Sequence, residues 1–453
     1  MTRIHLGRRL ARAALAGGMV VAAVGALAPP AQAAARSRLW VWGSGNLGLG
    51  TNGTRIQAQP IHGLPDAPVS QAVYFGPQAA LVSGEVWTWG YLGPLGNGGK
   101  AGSLAPVQVR SLSGVKQLAA TTSNDPSGTE SLTIYALRSN GTVWAWGMGT
   151  SGELGNGTMA SSNVPVQVSG LTGVTSITAS GDTAYALRSD GTVWVWGAGG
   201  SGQLGNGSTA ASDVPVQVSL SDKVTQLSAS CDTAYALTGG RRIFAWGVNN
   251  YGQLGDGSTA TAAAPVLVRG ISGASSVIAG CVHAYAIVGG TVRAWGLGAQ
   301  GENGDGHKAT RLYPVTVTGL SNVVSVSADH VTGYAVLKDG TAWAWGYGLQ
   351  GNLGDGQDAN SPVPVQITGI TSPVSSVTPG DPGGYYNSTT QPFGGVTSIV
   401  ARGTDGSLWS WGYSGFGANG SGGRGANPGR VPRVPAVSAV FPAPGPAWFA
   451  AVS

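Results

Sequence analysis

Read for hydrophobic alternation, the chain falls into short β-type runs separated by glycine-rich punctuation, most clearly between residues 141 and 197. Gly141-Thr-Val-Trp144-Ala-Trp146-Gly147 puts two indoles on one face of a strand, because successive side chains point to opposite sides. The turn Gly152-Glu-Leu154-Gly155-Asn156-Gly157 follows, then the runs Pro165-Val-Gln-Val168 and Val174-Thr-Ser-Ile177. Ala184-Tyr185-Ala-Leu187 is the fourth run, and Asp190-Gly191 leads into the next Trp194-Val-Trp196. Four runs of this kind, divided by Gly, Pro, Asn and Asp, predict one four-stranded antiparallel blade. Asn140-Gly141, Asp339-Gly340 and Asp405-Gly406 stand where Asp190-Gly191 stands, a pairing that permits positive φ in a tight hairpin.

The unit is written repeatedly. Its Trp-Gly pairs begin at Trp42, Trp89, Trp146, Trp196, Trp246, Trp295, Trp345 and Trp411, in steps of 47, 57, 50, 50, 49, 50 and 66 residues. A period near fifty predicts stacked repeats, here an all-β closed propeller of four-stranded antiparallel blades. Fourteen of the fifteen Trp lie on the same strand of the unit, flanking Val41, Thr88, Ala145, Val195, Ala245, Ala294, Ala344 and Ser410. A large face should therefore meet a lean one between blades. Each buried indole would remove about 150–250 Å² from water, of order 4–6 kcal/mol before entropy is subtracted. These Trp are assigned to the inter-blade core rather than to a sugar platform.

The last unit keeps Trp409-Ser-Trp411-Gly412, Val437-Ser-Ala-Val440 and Trp448-Phe449, but has Gly417-Ala-Asn-Gly420 in place of a Leu-bearing turn. Eight blades are expected, with seven plus an irregular terminal unit as the alternative. Because the chain opens on the Trp-x-Trp strand, its final strand should pair beside Leu39-Trp-Val-Trp42 and hide two edges.

The ordered series Trp-Gly, Gly-x-Leu-Gly-x-Gly, Pro-Val-x-Val and Gly-x-x-His-x-Tyr-Ala-Leu resembles the regulator of chromosome condensation repeat. Its best instances are Gly202-Gln203-Leu204-Gly205-Asn206-Gly207 and Gly252-Gln253-Leu254-Gly255-Asp256-Gly257. The Gly-x-x-His element is whole only at Gly280-Cys281-Val282-His283; Thr183, Thr233 and Thr332 replace that His elsewhere. The resemblance spans nearly all of 38–453. It implies a propeller, usually of seven blades, with partner binding on the face of the Gly-x-x-His turns. Nuclear members exchange guanine nucleotides on a small GTPase, and a secreted bacterial member inhibits β-lactamases.

Composition changes this picture in one respect. Charged residues are 9 % of the 453, with 77 Gly and 25 Pro, which would suit a disordered polymer if the Trp and the regular Val, Leu and Ile did not supply a core. Most of the net positive balance comes from the first residues. Arg3, Arg8, Arg9 and Arg12 precede an apolar stretch from Ala13 to Ala28 and the small-x-small site Ala31-Gln32-Ala33, the order of a secretory signal peptide. Residues 1–33 are read as that signal and 34–453 as one propeller domain. Arg12 interrupts the run that a twin-arginine signal would need, so the general secretory route is preferred. Removing the signal takes four Arg and no acid, and the formal charge falls from +5 to +1. No basic cluster is left to hold a phosphate backbone, and no later apolar stretch is long enough to span a membrane. The expected product is a monomer, secreted or at the cell surface, with no nucleic-acid partner.

Catalytic chemistry is hard to find in the sequence. The four His of the remaining chain are His62, His283, His307 and His330. His283 occupies a repeat position and should hydrogen-bond backbone, while His307 and His330 have no neighbour at metal-ligand spacing. Asp305-Gly306 and Asp355-Gly-Gln-Asp358 fall short of the six to eight oxygens of a calcium site. No hydrolase elbow, zinc-protease motif or phosphate loop occurs. The chain is read as a non-enzyme without cofactor or metal.

Cys231 and Cys281 lie 50 residues apart at matching positions of adjacent units, which invites a disulfide in an exported protein. Bonding needs Cα atoms within roughly 7 Å, so on an eightfold ring the pair must sit within roughly 9 Å of the axis. Two insertions break the repetition. From the Val of the third run to the fourth run takes 11 residues in regular units, such as Val174 to Tyr185. It takes 20 from Val115 to Tyr135 and 26 from Val374 to Val400. Both insertions fall in the Cys-bearing turn, so one face of the disc should carry them all. Binding is assigned there to Asp125, Glu130, Asp381, Tyr385, Tyr386, Asn387 and Phe393. The partner is expected to be an extracellular protein, the inhibited-enzyme case included. A cell-wall or carbohydrate ligand stacked on the Tyr pair and Phe393 is the alternative. The export signal argues against nucleotide exchange.

Overall fold

The structure, a computed structural model, describes residues 39–43, 46–74, 78–90, 94–124, 130–380, 398–413, 425–432, 434–443 and 448–452. Every regular element among them is a strand, and the strands pair into eight four-stranded antiparallel sheets. One sheet joins both ends of the chain, in the order β2 (Arg55–Pro60), β1 (Leu39–Gly43), β32 (Trp448–Val452), β31 (Ala439–Ala443). The others follow the sequence. They are β3–β6 (Val69–Tyr74, Gln78–Val82, Glu85–Gly90, Ser103–Gln108) and β7–β10 (Val115–Asn124, Glu130–Arg138, Val143–Gly147, Ser162–Gln167). Next come β11–β14 (Val174–Ser180, Thr183–Arg188, Val193–Gly197, Ser212–Gln217) and β15–β18 (Val224–Ser230, Thr233–Thr238, Ile243–Gly247, Ala262–Leu267). β19–β22 (Ala274–Ala279, His283–Val288, Thr291–Gly296, Arg311–Thr316) and β23–β26 (Val323–Ala328, Thr332–Leu337, Ala342–Gly346, Ser361–Gln366) follow. β27–β30 (Val374–Pro379, Ser398–Gly403, Leu408–Gly412, Gly425–Arg430) complete the set.

The propeller architecture follows from which strands meet. β3, β7, β11, β15, β19, β23, β27 and β31 each touch their counterparts in the neighbouring sheets, and β31 touches both β3 and β27. These strands form the inner wall. The expected end-to-end pairing is present, with Leu39 opposite Val452, Trp40 opposite Ala451 and Val41 opposite Ala450.

Large does meet lean between sheets. Trp196 is fully buried in a cluster with Tyr135, Ala145 and Leu154 of the preceding repeat, its ring edge-on to Tyr135 at 5.9 Å. The second indole of each repeat, Trp42 through Trp411, is at most 2 % exposed. The first is not equivalent to it: Trp40, Trp87, Trp144, Trp194 and Trp343 are only half-buried. Two of these bond a surface turn of their own sheet: Trp194 Nε1 donates to Thr192 Oγ1 and Trp343 Nε1 to Thr341 Oγ1, each at 3.2 Å, and Arg188 covers the Trp194 ring. Trp409 is the exception, buried in the cluster that also holds Trp411; in the other pairs full core status belongs to the second indole.

The Gly-x-Leu-Gly turn crosses onto the next sheet and explains both its residues and its polar bonds. Leu154, Leu204, Leu254 and Leu353 are fully buried. The following glycine lies flat on the next indole. A Cβ on Gly155, Gly205, Gly255 or Gly354 would come within 3 Å of Trp196, Trp246, Trp295 or Trp411, and each of these glycines has φ near +60°. The carbonyl of the residue before Leu is shared. Gln253 O accepts Tyr235 Oη at 2.7 Å from its own sheet and Trp295 Nε1 at 2.7 Å from the next. Glu153 O, Gln203 O and Asn352 O repeat the arrangement, and so does Glu302 O, where Asn303 stands in place of the Leu.

Along the inner wall, glutamine amides act as surrogate peptide groups. Gln71 both donates to Leu118 O and accepts Leu118 N, each at 2.7 Å, and Gln117 does the same for Ile177 and Gln226 for Val277. They satisfy backbone groups that no strand pairs. At the other end of the strands, Asp190-Gly191 makes the tight hairpin expected, with the positive φ on the glycine alone. Gly191 has φ +84° while Asp190 is not left-handed, and Arg188 N donates to Thr192 O. This is a type I turn closed by a glycine bulge.

Candidate functional site

The connections from each inner strand to the next strand gather at one end of the disc, around the axis. They include the turns after β11, β15, β19 and β23, and the described strand ends that flank both insertions lie at the same end. β7 and β8 run longer than their counterparts: Thr122, Ser123 and Asn124 pair with Leu132, Ser131 and Glu130 beyond the point where β11 and β12 stop. Three extra pairs lift this hairpin by about 10 Å. Glu130 is the first residue of β8 and pairs with Asn124 at the tip of the described hairpin. Asp125, Asp381, Tyr385, Tyr386, Asn387 and Phe393 lie outside the described residues.

The Cys231–Cys281 disulfide joins the turns of β15–β16 and β19–β20, with Cα atoms 4.9 Å apart. Together with Val282, Leu297 and the half-buried Tyr251 they make a small apolar knot. Cys231 (φ +44°) and Asp232 (φ +61°) are both left-handed, a cost of about 1–2 kcal/mol each for residues with a Cβ. Burial first, and the neighbouring Asp182 carboxyl second, push Asp232 up to about 6. Asp329 is buried; its Oδ1 accepts Val331 N at 2.9 Å and Thr332 N at 2.7 Å, and its Oδ2 meets no partner among the described residues. Burial raises its pKa as well.

The histidines depart from expectation. Thr183, Thr233 and Thr332 each donate a hydroxyl to the carbonyl 15 residues on, in Ala198, Val248 and Tyr347. His283 stands at the same position and makes no such bond. Its ring lies under Gly280, edge-on to Tyr285 at 4.9 Å, and neither ring nitrogen has a partner among the described residues. An imidazole overshoots the carbonyl that a hydroxyl reaches. Burial, then the facing His330, hold His283 down to about 3, so it is neutral.

His330 has the neighbour that its place in the sequence hides. Its Nε2 is 3.9 Å from Cys231 Sγ, and the ligand atoms of Cys231, Cys281 and His330 lie within 4.8 Å of one another. The signal for this was the repeat register: 231, 281 and 330 are the same position of three successive units. His62 lines a cleft of about 280 Å³ with Pro60, Ile61 and Asp66 at the other end of the strands. His307 N binds Asp305 Oδ1, and Asp305 Oδ2 is held by Arg311 at 2.5 Å, so that carboxylate serves its own turn.

Comparison with known proteins agrees with the architecture. The chain is 29 % identical to E3 ubiquitin-protein ligase HERC2 of Homo sapiens over 143 residues, which is 30 % of this chain and 3 % of that protein. It is 31 % identical to the mitochondrial RCC1 domain-containing protein RUG3 of Arabidopsis thaliana over 152 residues, 29 % of this chain and 31 % of that one. The chain thus spans a third or less of these relatives. Among solved structures, Prp20p from Saccharomyces cerevisiae is similar with a TM-score of 0.60 at 18 % identity, over 93 % of this chain and 92 % of that one. Human WBSCR16 is similar at 0.57 and 19 % identity, over 75 % and 96 %. A family model for the RCC1-like domain matches residues 38–386, and the chain belongs to that family.

Proposed function

We propose that this propeller is an exported scaffold that binds another protein through the end of the disc carrying the lengthened β7–β8 hairpin. The observation that carries the reading is that hairpin, which runs three residue pairs past the point where β11 and β12 stop, while the hairpins β15–β16, β19–β20 and β23–β24 stay as short. The inner-strand connection between 380 and 398 is longer still, and its Tyr385, Tyr386 and Phe393 suit a protein contact. Family membership supports binding rather than catalysis; the yeast Prp20p structure is described together with binding to Gsp1p and histones. Export rests on residues 1–33 alone, and it is the ground for setting nucleotide exchange aside. We infer further that the ring closes with eight blades, a reading supported by the eight sheets and by β31 touching both of its neighbours.

The test is capture from culture medium set against binding to washed cell walls. Deleting 381–393 should remove binding and leave thermal melting nearly unchanged. Retained affinity refutes the assignment, and binding to walls alone moves the ligand class to glycan.

A further inference from the structure

Three successive repeats carry metal-ligand residue types at one position of the inner turn, namely Cys231, Cys281 and His330, in steps of 50 and 49 residues. The repeat before them has Gly181 there. The ring converts this sequence ladder into a cluster, because equivalent turns of adjacent blades converge near the axis. We propose that Cys231, Cys281 and His330 form a site for a thiophilic divalent cation such as Zn²⁺, opened when the Cys231–Cys281 bond is reduced.

The donor set decides the cation class. Two thiolates and an imidazole suit Zn²⁺, whereas Ca²⁺ and Mg²⁺ need oxygen. Two sulfurs on a tetrahedral zinc stand about 3.7 Å apart, a separation that free thiols can take up by side-chain rotation at both turns. His330 already has Nε2 3.9 Å from Cys231 Sγ, and it comes from a third turn, so the three donors approach from three blades. Three protein ligands leave a fourth position open to water or to a donor from a bound partner.

The chemistry balances. A dithiol reductant gives two electrons and two protons to the disulfide and leaves as its own disulfide. The cation then takes both thiolates and releases their two protons, while His330 contributes a ring lone pair. Two thiolates cancel a dication, so the occupied site is neutral and its partial burial carries no net-charge penalty. Disulfide and metal site are alternative states of one trio.

Co²⁺ is the probe, since a thiolate-to-cobalt band and tetrahedral d–d bands report sulfur ligation directly. The oxidised protein should show no such band. After reduction with a phosphine, removed by anaerobic desalting before metal is added, one Co²⁺ per chain should bind. Cys231→Ser and Cys281→Ser should lose or shift the band, and His330→Ala should weaken binding at least tenfold. His307→Ala, in a distant turn, should change nothing. Cys281→His cannot form the bond yet keeps three ligands, and should bind Co²⁺ without reductant. A reduced protein that shows no cobalt–thiolate band overturns the proposal. So does one that loses its β-sheet circular dichroism before binding, or one whose full band survives in Cys281→Ser.

Discussion

Replacing Gly205 by Ala is a direct test of how the blades are joined. Two glycines of the same turn separate the contributions. Gly205 (φ +62°) and Gly207 (φ +87°) both have left-handed backbones, and a Cβ on either costs about 1–2 kcal/mol in conformation alone. Gly207 meets the next blade through its backbone N–H, which donates to Ala263 O at 2.8 Å, but only at Gly205 would a side chain run into that blade. Its Cβ would lie 2.6 Å from Trp246 Nε1 and 2.7 Å from Cδ1, whereas a Cβ at Gly207 meets nothing within 4 Å. Trp246 cannot retreat, because it is fully buried and its Nε1 is tied to Gln203 O at 3.0 Å. Overpacking of this kind adds about 1–3 kcal/mol. Gly205→Ala should therefore lose about 2–5 kcal/mol and Gly207→Ala about 1–2. Urea unfolding followed by intrinsic Trp fluorescence gives both values. Equal losses in the two variants would refute the claim that this glycine is required by the neighbouring indole.

Four smaller perturbations probe other contacts. Tyr235→Phe should cost only about 0.5–1.5 kcal/mol by denaturant titration, because Trp295 still donates to Gln253 O and the carbonyl is not orphaned. Without reductant, Cys281→Ser should lose about 4 kcal/mol for the 50-residue loop on the chain-entropy account, and reduced wild type should fall to the same level. Burial raises the Glu153 carboxyl above the usual carboxylate range, so the folded state holds that proton more tightly than the unfolded one. Its contribution is present below the unfolded value and is lost as pH rises through the folded one. Glu153→Gln, which copies the neutral Gln203 acceptor of Ser201 N, should flatten that slope between mildly acid and neutral buffer and stabilise the neutral end. Removing 448–453 strips β1 of its inner partner and should give an aggregating chain by light scattering; a stable monomer would deny that the last strand closes the ring.

Strand grammar was legible because each copy repeats the same alternation, and error in one unit is corrected by the next. The pairing of Leu39–Val41 with the last strand, and the partnership of Cys231 with Cys281, could be read for the same reason. What repetition could not convey is where two copies touch. The half-burial of Trp194 beside its own surface turn, the Gln71, Gln117 and Gln226 bridges and the shared Gln253 carbonyl all depend on the offset between neighbouring sheets. His283 misled for a related reason. Its place matches that of Thr233, but ring size decides whether the carbonyl is reached. His330 was hidden by distance along the chain, since spacing rules look a few residues away and its sulfur neighbour is 99 residues back.

The sheet shared by β1 and β31–β32 also sets a timetable. Synthesis makes Val452 more than 400 residues after Leu39, so the β1 strand keeps an unsatisfied edge while all the sheets between them are made. Until its partner emerges, every blade made in between belongs to an open arc with two sticky ends. A chain built this way is kept from premature completion by its own connectivity.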